Sequence, residues 1–281
     1  MTLVNRLVTE AEAVAALIAR LELDANGEYG DSEVRAQLDR VIDVLGARKL
    51  CADPGELERR TVIGHVTTML RQAMELIEHP GRAGGWIYTD PAIIQGQGAS
   101  TGIVAQLIAG AGIGKPDARI LDVGTGVGAL AVAFCRTFPG STVVGIDPWE
   151  PSLGLARSNI AAADLGSRIA LLSTRIEDFT DDGFDLVWMP VIFLAEQVLE
   201  DAVAHAVAAM RSGGEIVLGR YSGSDDALAG ALGDLRTIRS GGTLLNAGDV
   251  RKLLEHAGLV DVREVQRTWS APIGLTAGRR L

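Results

Sequence analysis

The sequence predicts an α/β fold, in which a doubly wound and mostly parallel sheet follows an all-helical N-terminal domain. Short apolar runs alternate with helix-forming stretches from residue 119 onward, which is the pattern of βα units in a parallel sheet. A glycine-rich turn separates the first of these strands from its helix. Residues 1–84 carry only helical periodicity. We therefore expect a helical domain at 1–84 and a sheet domain at 85–281.

Three helices are predicted in the N-terminal domain, because apolar residues recur there at helical spacing between capping residues. A helical domain ahead of a sheet domain can cover an active site or form a dimer interface. The predicted segments are Val8–Leu23, a helix that starts at an N-cap of Asp31 or Ser32 and ends at Gly46, and a helix from near Asp53-Pro54 to His79-Pro80-Gly81.

A connector leads from this domain to the sheet. Asp90-Pro91 is typical of a helix start, and a further helix is predicted from Ser100 or Thr101 to Gly110. Because the connector enters the sheet beside the glycine turn, we expect it to pass over any ligand bound there.

The remaining elements alternate as a doubly wound sheet requires. After the first strand at Arg119, the predicted strands are Thr142–Ile146, Ile169–Ser173, Phe184–Met189, Glu215–Arg220, Val260–Ser270 and Ile273–Arg279. The predicted helices are 152–163, 194–211 and 225–238, followed by one from Asn246 to His256.

The glycine turn predicts a ligand-binding site. Gly124, Gly126 and Gly128 permit positive φ and let a ligand approach the backbone, next to the free N–H groups at a helix start. Asp147 ends the second strand, where a carboxylate can accept hydrogen bonds from both hydroxyls of a ribose. Asp122 lies two residues before the first glycine, where it can hold an ammonium group. The ligand is therefore predicted to be a nucleoside derivative.

The acid-x-Gly-x-Gly-x-Gly element and the acid at 147 make residues 86–281 resemble the class I S-adenosylmethionine-dependent methyltransferase family. Two further segments support the resemblance: Leu155–Asn159, which opens the helix after the second strand, and Met210–Leu218, interpreted as a helix end, a Gly-Gly turn and a late strand. The glycine pattern also fits a dinucleotide fingerprint, so a nicotinamide-dependent oxidoreductase is an alternative. Asp122 would repel a pyrophosphate, and none of the lysines at 49, 115 and 252 completes a Tyr-x-x-x-Lys pair. A non-catalytic donor-binding subunit is a second alternative.

The resemblance implies a Rossmann-like sheet of seven strands, the last of them antiparallel, with the helical domain as a cap. It implies S-adenosyl-L-methionine as the cofactor. Arg175 stands where an acid is first expected, which leaves the adenine contact open among the three residues that follow it. The residues assigned to the donor are Asp122, Gly124, Thr125 and Gly126 around its methionine part, Asp147 at the ribose, Pro148 and Trp149 beside the adenine, Ile176, Glu177 and Asp178 after the third strand, and Trp188 near the reactive methyl.

The acceptor is predicted to be a small hydrophobic or aromatic metabolite of secondary metabolism. The turn after the fourth strand contains no Asn-Pro-Pro-Tyr-like or Asp-Pro-Pro-Tyr-like tetrapeptide, which counts against nucleic-acid bases and protein glutamine. Aromatic residues make up 4% of the chain, yet several fall near this rim. Methylation is expected at oxygen, with carbon and nitrogen as alternatives. The predicted substrate contacts are Trp86, Gln95, Met189 and Phe193, and the candidate bases are Tyr88 and His65.

Composition limits the other classes of partner. The formal net charge is -10 with no dense basic run, which argues against nucleic acid. The absence of a long apolar run and of a signal pattern predicts a soluble, cytoplasmic protein without membrane contact. The two cysteines and four histidines show no metal-ligand spacing, so we expect no metal site. A homodimer through the helical domain is the expected assembly.

Overall fold

The computed structural model describes residues 2–52, 56–222, 226–269 and 271–281, and these divide into two compact units. The helical unit comprises Met1–Pro80 and Asp90–Ser100, and the sheet unit comprises Gly81–Thr89 and Thr101–Leu281. The predicted boundary at 84/85 differs from this division at residues 81–84 and 90–100. The chain therefore passes between the units three times.

The described part of the helical unit forms five helices: α1 (Leu3–Ala25), α2 (Ser32–Leu45), α3 (Arg48–Ala52), α4 (Glu56–Glu78) and α5 (Pro91–Ala99). The second is bounded as predicted, because the Asp31 carboxylate accepts hydrogen bonds from two first-turn N–H groups and Gly46 ends the helix at φ 66°. The predicted start of the next long helix, Asp53-Pro54, lies outside the described residues. Short α3 has no counterpart in the predicted elements.

Close packing of α5 against α4 places residues 90–100 in the helical unit. Asp90 caps α5 by accepting a hydrogen bond from the Ala92 N–H, with Pro91 at the first helical position. Gly96 and Gly64 bring the two helices together, since a Cβ at position 96 would lie 2.6 Å from the Gly64 carbonyl oxygen.

The described residues of the sheet unit form seven strands and six helices. These are α6 (Ile103–Gly110), β1 (Arg119–Val123), α7 (Ala129–Thr137), β2 (Thr142–Ile146), α8 (Glu150–Ala162), β3 (Ile169–Leu172), β4 (Phe184–Pro190), α9 (Glu196–Ala208), β5 (Met210–Tyr221), α10 (Ala227–Arg239), α11 (Ala247–His256), β6 (Val260–Glu264) and β7 (Ile273–Arg279).

The strands form one sheet in the order β3-β2-β1-β4-β5-β7-β6, in which β7 pairs antiparallel with both neighbours. The other pairs are parallel. Apolar clusters cover both faces of the central strands, which buries the strands completely. The predicted seven-stranded, doubly wound fold is confirmed, and the carboxyl ends of β1, β2 and β4 meet at one edge.

Three predicted boundaries are wrong. The first helix begins at Leu3, ahead of the predicted Val8. Met210 begins β5 instead of ending a helix, because it pairs with Phe184 before a bulge that includes Gly213 at φ 76°. The sixth strand ends at Glu264, well before the predicted end at Ser270, which lies outside the described residues. The chain folds back there, and the Trp269 indole N–H donates to the Ile273 carbonyl oxygen at 3.0 Å. No helix in the described ranges is long and apolar enough to cross a membrane.

Candidate donor and acceptor site

A turn of bare backbone follows β1 at the carboxyl edge of the sheet. Gly124 and Gly126 have φ of 69° and 56°, a region that favours glycine. The N–H groups of Gly124 and Thr125 both donate to the Ile146 carbonyl oxygen, at 2.8 and 3.0 Å, which ties the turn to the end of β2. Gly124 is exposed and Gly126 is half-buried. The two glycines therefore place no side chain of their own between this backbone and a ligand.

Asp122 presents a buried carboxyl group beneath the turn. It is 1% exposed, and its Oδ2 accepts a hydrogen bond from the Thr125 hydroxyl at 2.7 Å. Its Oδ1 is also buried but accepts no hydrogen bond from any described residue. Burial raises the pKa of Asp122 to about 7, the Thr125 hydrogen bond opposes the rise, and the nearby Asp147 carboxylate adds to it. A buried oxygen without a partner is costly, so this atom fits a ligand that brings a donor group.

Asp147 is held ready at the end of β2. Its Oδ2 accepts from the Gly126 N–H at 2.9 Å, and its Oδ1 accepts from the Trp149 N–H at 2.8 Å. Burial raises the pKa of this carboxyl, while the N–H bonds from Trp149 and Gly126 favour its charged form. Each oxygen keeps acceptor capacity, so two adjacent hydroxyls are a fitting partner.

Residues 81–89, which we call the aromatic strap, bring the expected aromatic side chains together. The Trp149 indole N–H donates to the Tyr88 carbonyl oxygen at 2.9 Å. The Trp86 ring makes edge-to-face contacts with Tyr88 at 5.1 Å and with Phe193 at 5.5 Å between centroids. Trp149 follows β2 and Phe193 follows β4, and β1 lies between those strands. The strap therefore crosses the sheet edge at the glycine turn.

Backbone contacts that the sequence analysis missed fix the start of the strap. The Gly85 N–H and the Arg82 guanidinium both donate to the Arg239 carbonyl oxygen, at 3.0 and 3.3 Å. A Cβ at Gly84 would overlap the Ile238 carbonyl oxygen, and one at Gly241 would lie 3.1 Å from the Gly85 Cα. Two Gly-Gly pairs in the sequence, at 84–85 and 241–242, could have indicated that these two backbone segments lie close together.

The loop after β3, which was predicted to contact adenine, contains an ion pair. Arg175 lies 3.0 Å from a Glu177 carboxylate oxygen. Burial alone would raise the pKa of Glu177, but the hydrogen bond and charge of Arg175 hold it below its usual value. Asp178 is exposed, and the Ile176 side chain is buried in the core, so Ile176 offers its backbone. The assignment among these three residues stays a prediction, as does that of exposed Pro148.

Two of the residues predicted to contact donor or acceptor have buried side chains. Trp188 is 3% exposed and Met189 is not exposed at all, since both lie in β4 with core clusters on either face. A Cβ at Gly219 would overlap the Trp188 ring, which locates that ring over β5. Neither side chain is exposed at the sheet edge. Of the three residues predicted at the end of β4, only Phe193 contacts an aromatic ring of the strap, that of Trp86.

The other predicted residues divide between the units. Tyr88 lies in the strap and is buried. His65 is exposed on α4, and Gln95 is half-buried on α5, both within the helical unit. Their predicted roles toward an acceptor stay predictions.

Residues 120–214 match a family described as "Methyltransferase domain". A release factor glutamine methyltransferase of Gloeobacter violaceus is 46% identical over 55 residues, which cover 20% of this chain and 19% of that protein. A demethylmenaquinone methyltransferase of Thermus thermophilus is 33% identical over 104 residues, covering 37% and 47%. The chain thus spans less than half the length of these curated relatives.

Solved structures resemble the chain over nearly its whole length. An O-methyltransferase family protein from Burkholderia thailandensis has a TM-score of 0.68 at 17% identity, covering 100% of this chain and 98% of that one. Human N-acetylserotonin methyltransferase has a TM-score of 0.72 at 14% identity, and the match covers 100% of this chain and 98% of that one. Mitomycin 7-O-methyltransferase has a TM-score of 0.69 at 17% identity, and the match covers 99% of this chain and 97% of that one. These likenesses establish the fold.

Proposed function

We propose that this chain, in which residues 120–214 match a family described as "Methyltransferase domain" and whose fold resembles that of solved methyltransferases, transfers the methyl group of S-adenosylmethionine to a small hydrophobic or aromatic molecule. One observation carries the proposal. A bare glycine turn lies between a buried carboxyl with an unpartnered oxygen, Asp122, and a preoriented carboxylate, Asp147.

The donor's charged and polar parts have matching partners in this turn. Oδ1 of Asp122 accepts from the ammonium group of the methionine part, while Thr125 keeps Oδ2 occupied. Asp147 accepts from the ribose hydroxyls, and Trp149 lies beside the adenine. Gly124 and Gly126 admit the donor to the backbone. These assignments follow from the chemistry of the atoms that lack partners or keep acceptor capacity.

Bound S-adenosylmethionine supplies a methyl group that its sulfonium has already activated. The chain's own contribution is alignment of the acceptor and exclusion of water, and alignment alone is worth up to roughly 7–11 kcal/mol in well-oriented systems. The aromatic strap crosses the same edge of the sheet and provides an apolar, aromatic wall for the acceptor.

The turn after β4 supports an apolar acceptor, because residues 191–195 are Val, Ile, Phe, Leu and Ala. Mitomycin 7-O-methyltransferase, by its name, methylates an oxygen of a natural product. We favour oxygen as the methylated atom here, in an aromatic metabolite of secondary metabolism, with carbon or nitrogen as alternatives. A hydroxyl acceptor that keeps its proton needs a base, and Tyr88 and His65 are the candidates.

Calorimetric titration with S-adenosylhomocysteine, with NAD in a parallel titration, tests the donor. We expect S-adenosylhomocysteine to bind and NAD not to bind. Asp147→Ala should weaken S-adenosylhomocysteine binding by about 1–3 kcal/mol, because charge-assisted hydrogen bonds are lost. Asp117→Ala, which removes an exposed carboxylate before β1, is the control. Binding of NAD alone, or full affinity in a folded Asp147→Ala variant, would refute the assignment.

The same proposal includes a homodimer formed through the helical unit and a cytoplasmic location, with no nucleic-acid or membrane partner. The apolar residues that α1 exposes support the dimer. The net charge of -10 makes a polyanionic partner unfavourable.

A further inference from the structure

Trp149 donates two hydrogen bonds, one to the end of β2 and one to the aromatic strap. Its backbone N–H donates to Oδ1 of Asp147 at 2.8 Å, and its indole N–H donates to the Tyr88 carbonyl oxygen at 2.9 Å. The first bond holds the carboxylate assigned to the donor's ribose. The second holds the aromatic strap. A single half-buried residue therefore contacts both the donor subsite and the wall of the acceptor site.

The strap has separate attachments at its two ends. Near its start, Arg82 and Gly85 donate to the Arg239 carbonyl oxygen. Near its end, the bond from the Trp149 indole joins Tyr88 to the loop after β2. Trp86 lies between these attachments, with its ring against Tyr88 and Phe193. The Trp149 bond to the Tyr88 backbone is therefore one of the contacts that hold the ring against which Trp86 packs.

We propose that Trp149 is a positioning residue that couples occupation of the donor subsite to ordering of the aromatic strap, so that bound donor completes the acceptor wall. The coupling rests on the donor assigned above. A ribose held by Asp147 restrains the Trp149 backbone through their shared hydrogen bond, and the indole passes that restraint to Tyr88. By thermodynamic linkage, an acceptor resting on the strap tightens donor binding by the same factor.

The coupling has a use in the reaction. A wall that forms with the donor in place assembles the acceptor site beside the activated methyl and limits access of water to it. Donor binding then precedes productive acceptor binding.

Hydrogen exchange measured by mass spectrometry tests the coupling without a known acceptor. S-adenosylhomocysteine is the probe, at a concentration that calorimetry shows to saturate each variant. In the wild type we expect it to slow exchange of the amides in residues 84–89 by about tenfold, the scale of the stability that one hydrogen bond contributes. In Trp149→Phe, which keeps an aromatic ring and the backbone N–H, the slowing should fall below about twofold.

Trp269→Phe is the matched control. It removes an indole N–H that also donates to a backbone carbonyl oxygen, that of Ile273 at 3.0 Å, away from the strap. We expect this variant to retain the full slowing at 84–89. Equal slowing in saturated Trp149→Phe, or no slowing in the wild type, would overturn the coupling while leaving the donor assignment intact. Failure of the probe to bind the wild type would overturn the donor assignment together with the coupling.

A second measurement covers the case in which Trp149→Phe does not fold. In wild-type protein labelled with 15N at the indole nitrogens, S-adenosylhomocysteine should shift the resonances of Trp86 and Trp149 together and leave that of Trp269 in place. The Trp269→Phe spectrum identifies the control resonance. A shift of Trp149 without a shift of Trp86 would contradict the coupling.

Discussion

Asp122 carries a consequence for stability at the scale of a single residue. Burial holds the pKa of its carboxyl at about 7, far above its usual value. Between about pH 4 and pH 7 the folded chain keeps a proton that the unfolded chain has lost, so the free energy of unfolding falls as pH rises through this window. Relative to the wild type, Asp122→Asn should gain about 2–3 kcal/mol of stability between pH 5 and pH 8 without donor.

Urea unfolding of both proteins at several pH values measures this difference. Asp117→Asn, at an exposed carboxylate before β1, should follow the wild type throughout. The same carboxyl should make S-adenosylhomocysteine bind more tightly as pH rises through about 7, because an ionised Asp122 is the better partner for an ammonium group. Parallel stability curves for wild type and Asp122→Asn would contradict the pKa assigned to this residue.

The positions of the residues predicted to bind the donor follow from chain geometry, while their binding roles stay predictions. A strand that ends in an acid and a glycine turn allows little freedom, so Asp122, Thr125 and Asp147 fall where the sequence indicates. The Trp149 bond to Tyr88 was not predictable, since it joins residues 61 positions apart through a backbone oxygen that no residue type reveals. The burial of the Trp188 side chain was predictable, because Leu186–Met189 form a continuous apolar run, which indicates a strand buried on both faces.

At the scale of elements, the contact between α4 and α5 depends on two glycines. A Cβ at Gly96 would overlap the buried Thr68 hydroxyl and lie 2.6 Å from the Gly64 carbonyl oxygen. Gly96→Ala should therefore force the helices apart and lower the free energy of unfolding by about 1–3 kcal/mol. Thermal or urea unfolding measures this loss.

Gly110→Ala at the end of α6 is the matched control, because a Cβ there meets no atom within 4 Å. Its stability should equal or slightly exceed that of the wild type, since alanine costs less backbone entropy than glycine in a helix. If both variants were equally stable, the close packing of α4 and α5 would not contribute to folding.

The limits of the predicted elements have local causes. The helix after residue 31 was predicted to within one residue at its start, where Asp31 or Ser32 was expected as the cap, and its end at the left-handed Gly46 was predicted directly. The start of β5 was misplaced because the bulge after Met210 looks, in sequence, like the end of a helix followed by a turn. Helix caps and glycine turns can be located from the sequence. Strand pairing on both sides of a bulge, as between β4 and β5, cannot.

At the scale of the whole molecule, the two units differ in how much of their apolar surface is exposed. The central strands of the sheet unit are buried on both faces, while the first turns of α1 expose Leu3, Val4, Leu7 and Val8 at 46–66% of their surface. These positions share one face of the helix, since they repeat at spacings of one and four residues. An exposed apolar stripe of this kind is typical of a surface that binds a partner.

We expect the protein to be a homodimer in which this stripe is buried. Val4→Asp combined with Leu7→Asp should weaken the dimer by about 3 kcal/mol or more, because two apolar side chains lose their burial and two charges enter the interface. Sedimentation equilibrium measures the dissociation constant. Leu228→Asp combined with Leu232→Asp is the matched control, because these α10 leucines are exposed at 64% and 44%, close to the values for Val4 and Leu7. A dimer that only the α10 pair disrupts would move the interface to the sheet unit, and a wild-type monomer at micromolar concentration would refute the dimer altogether.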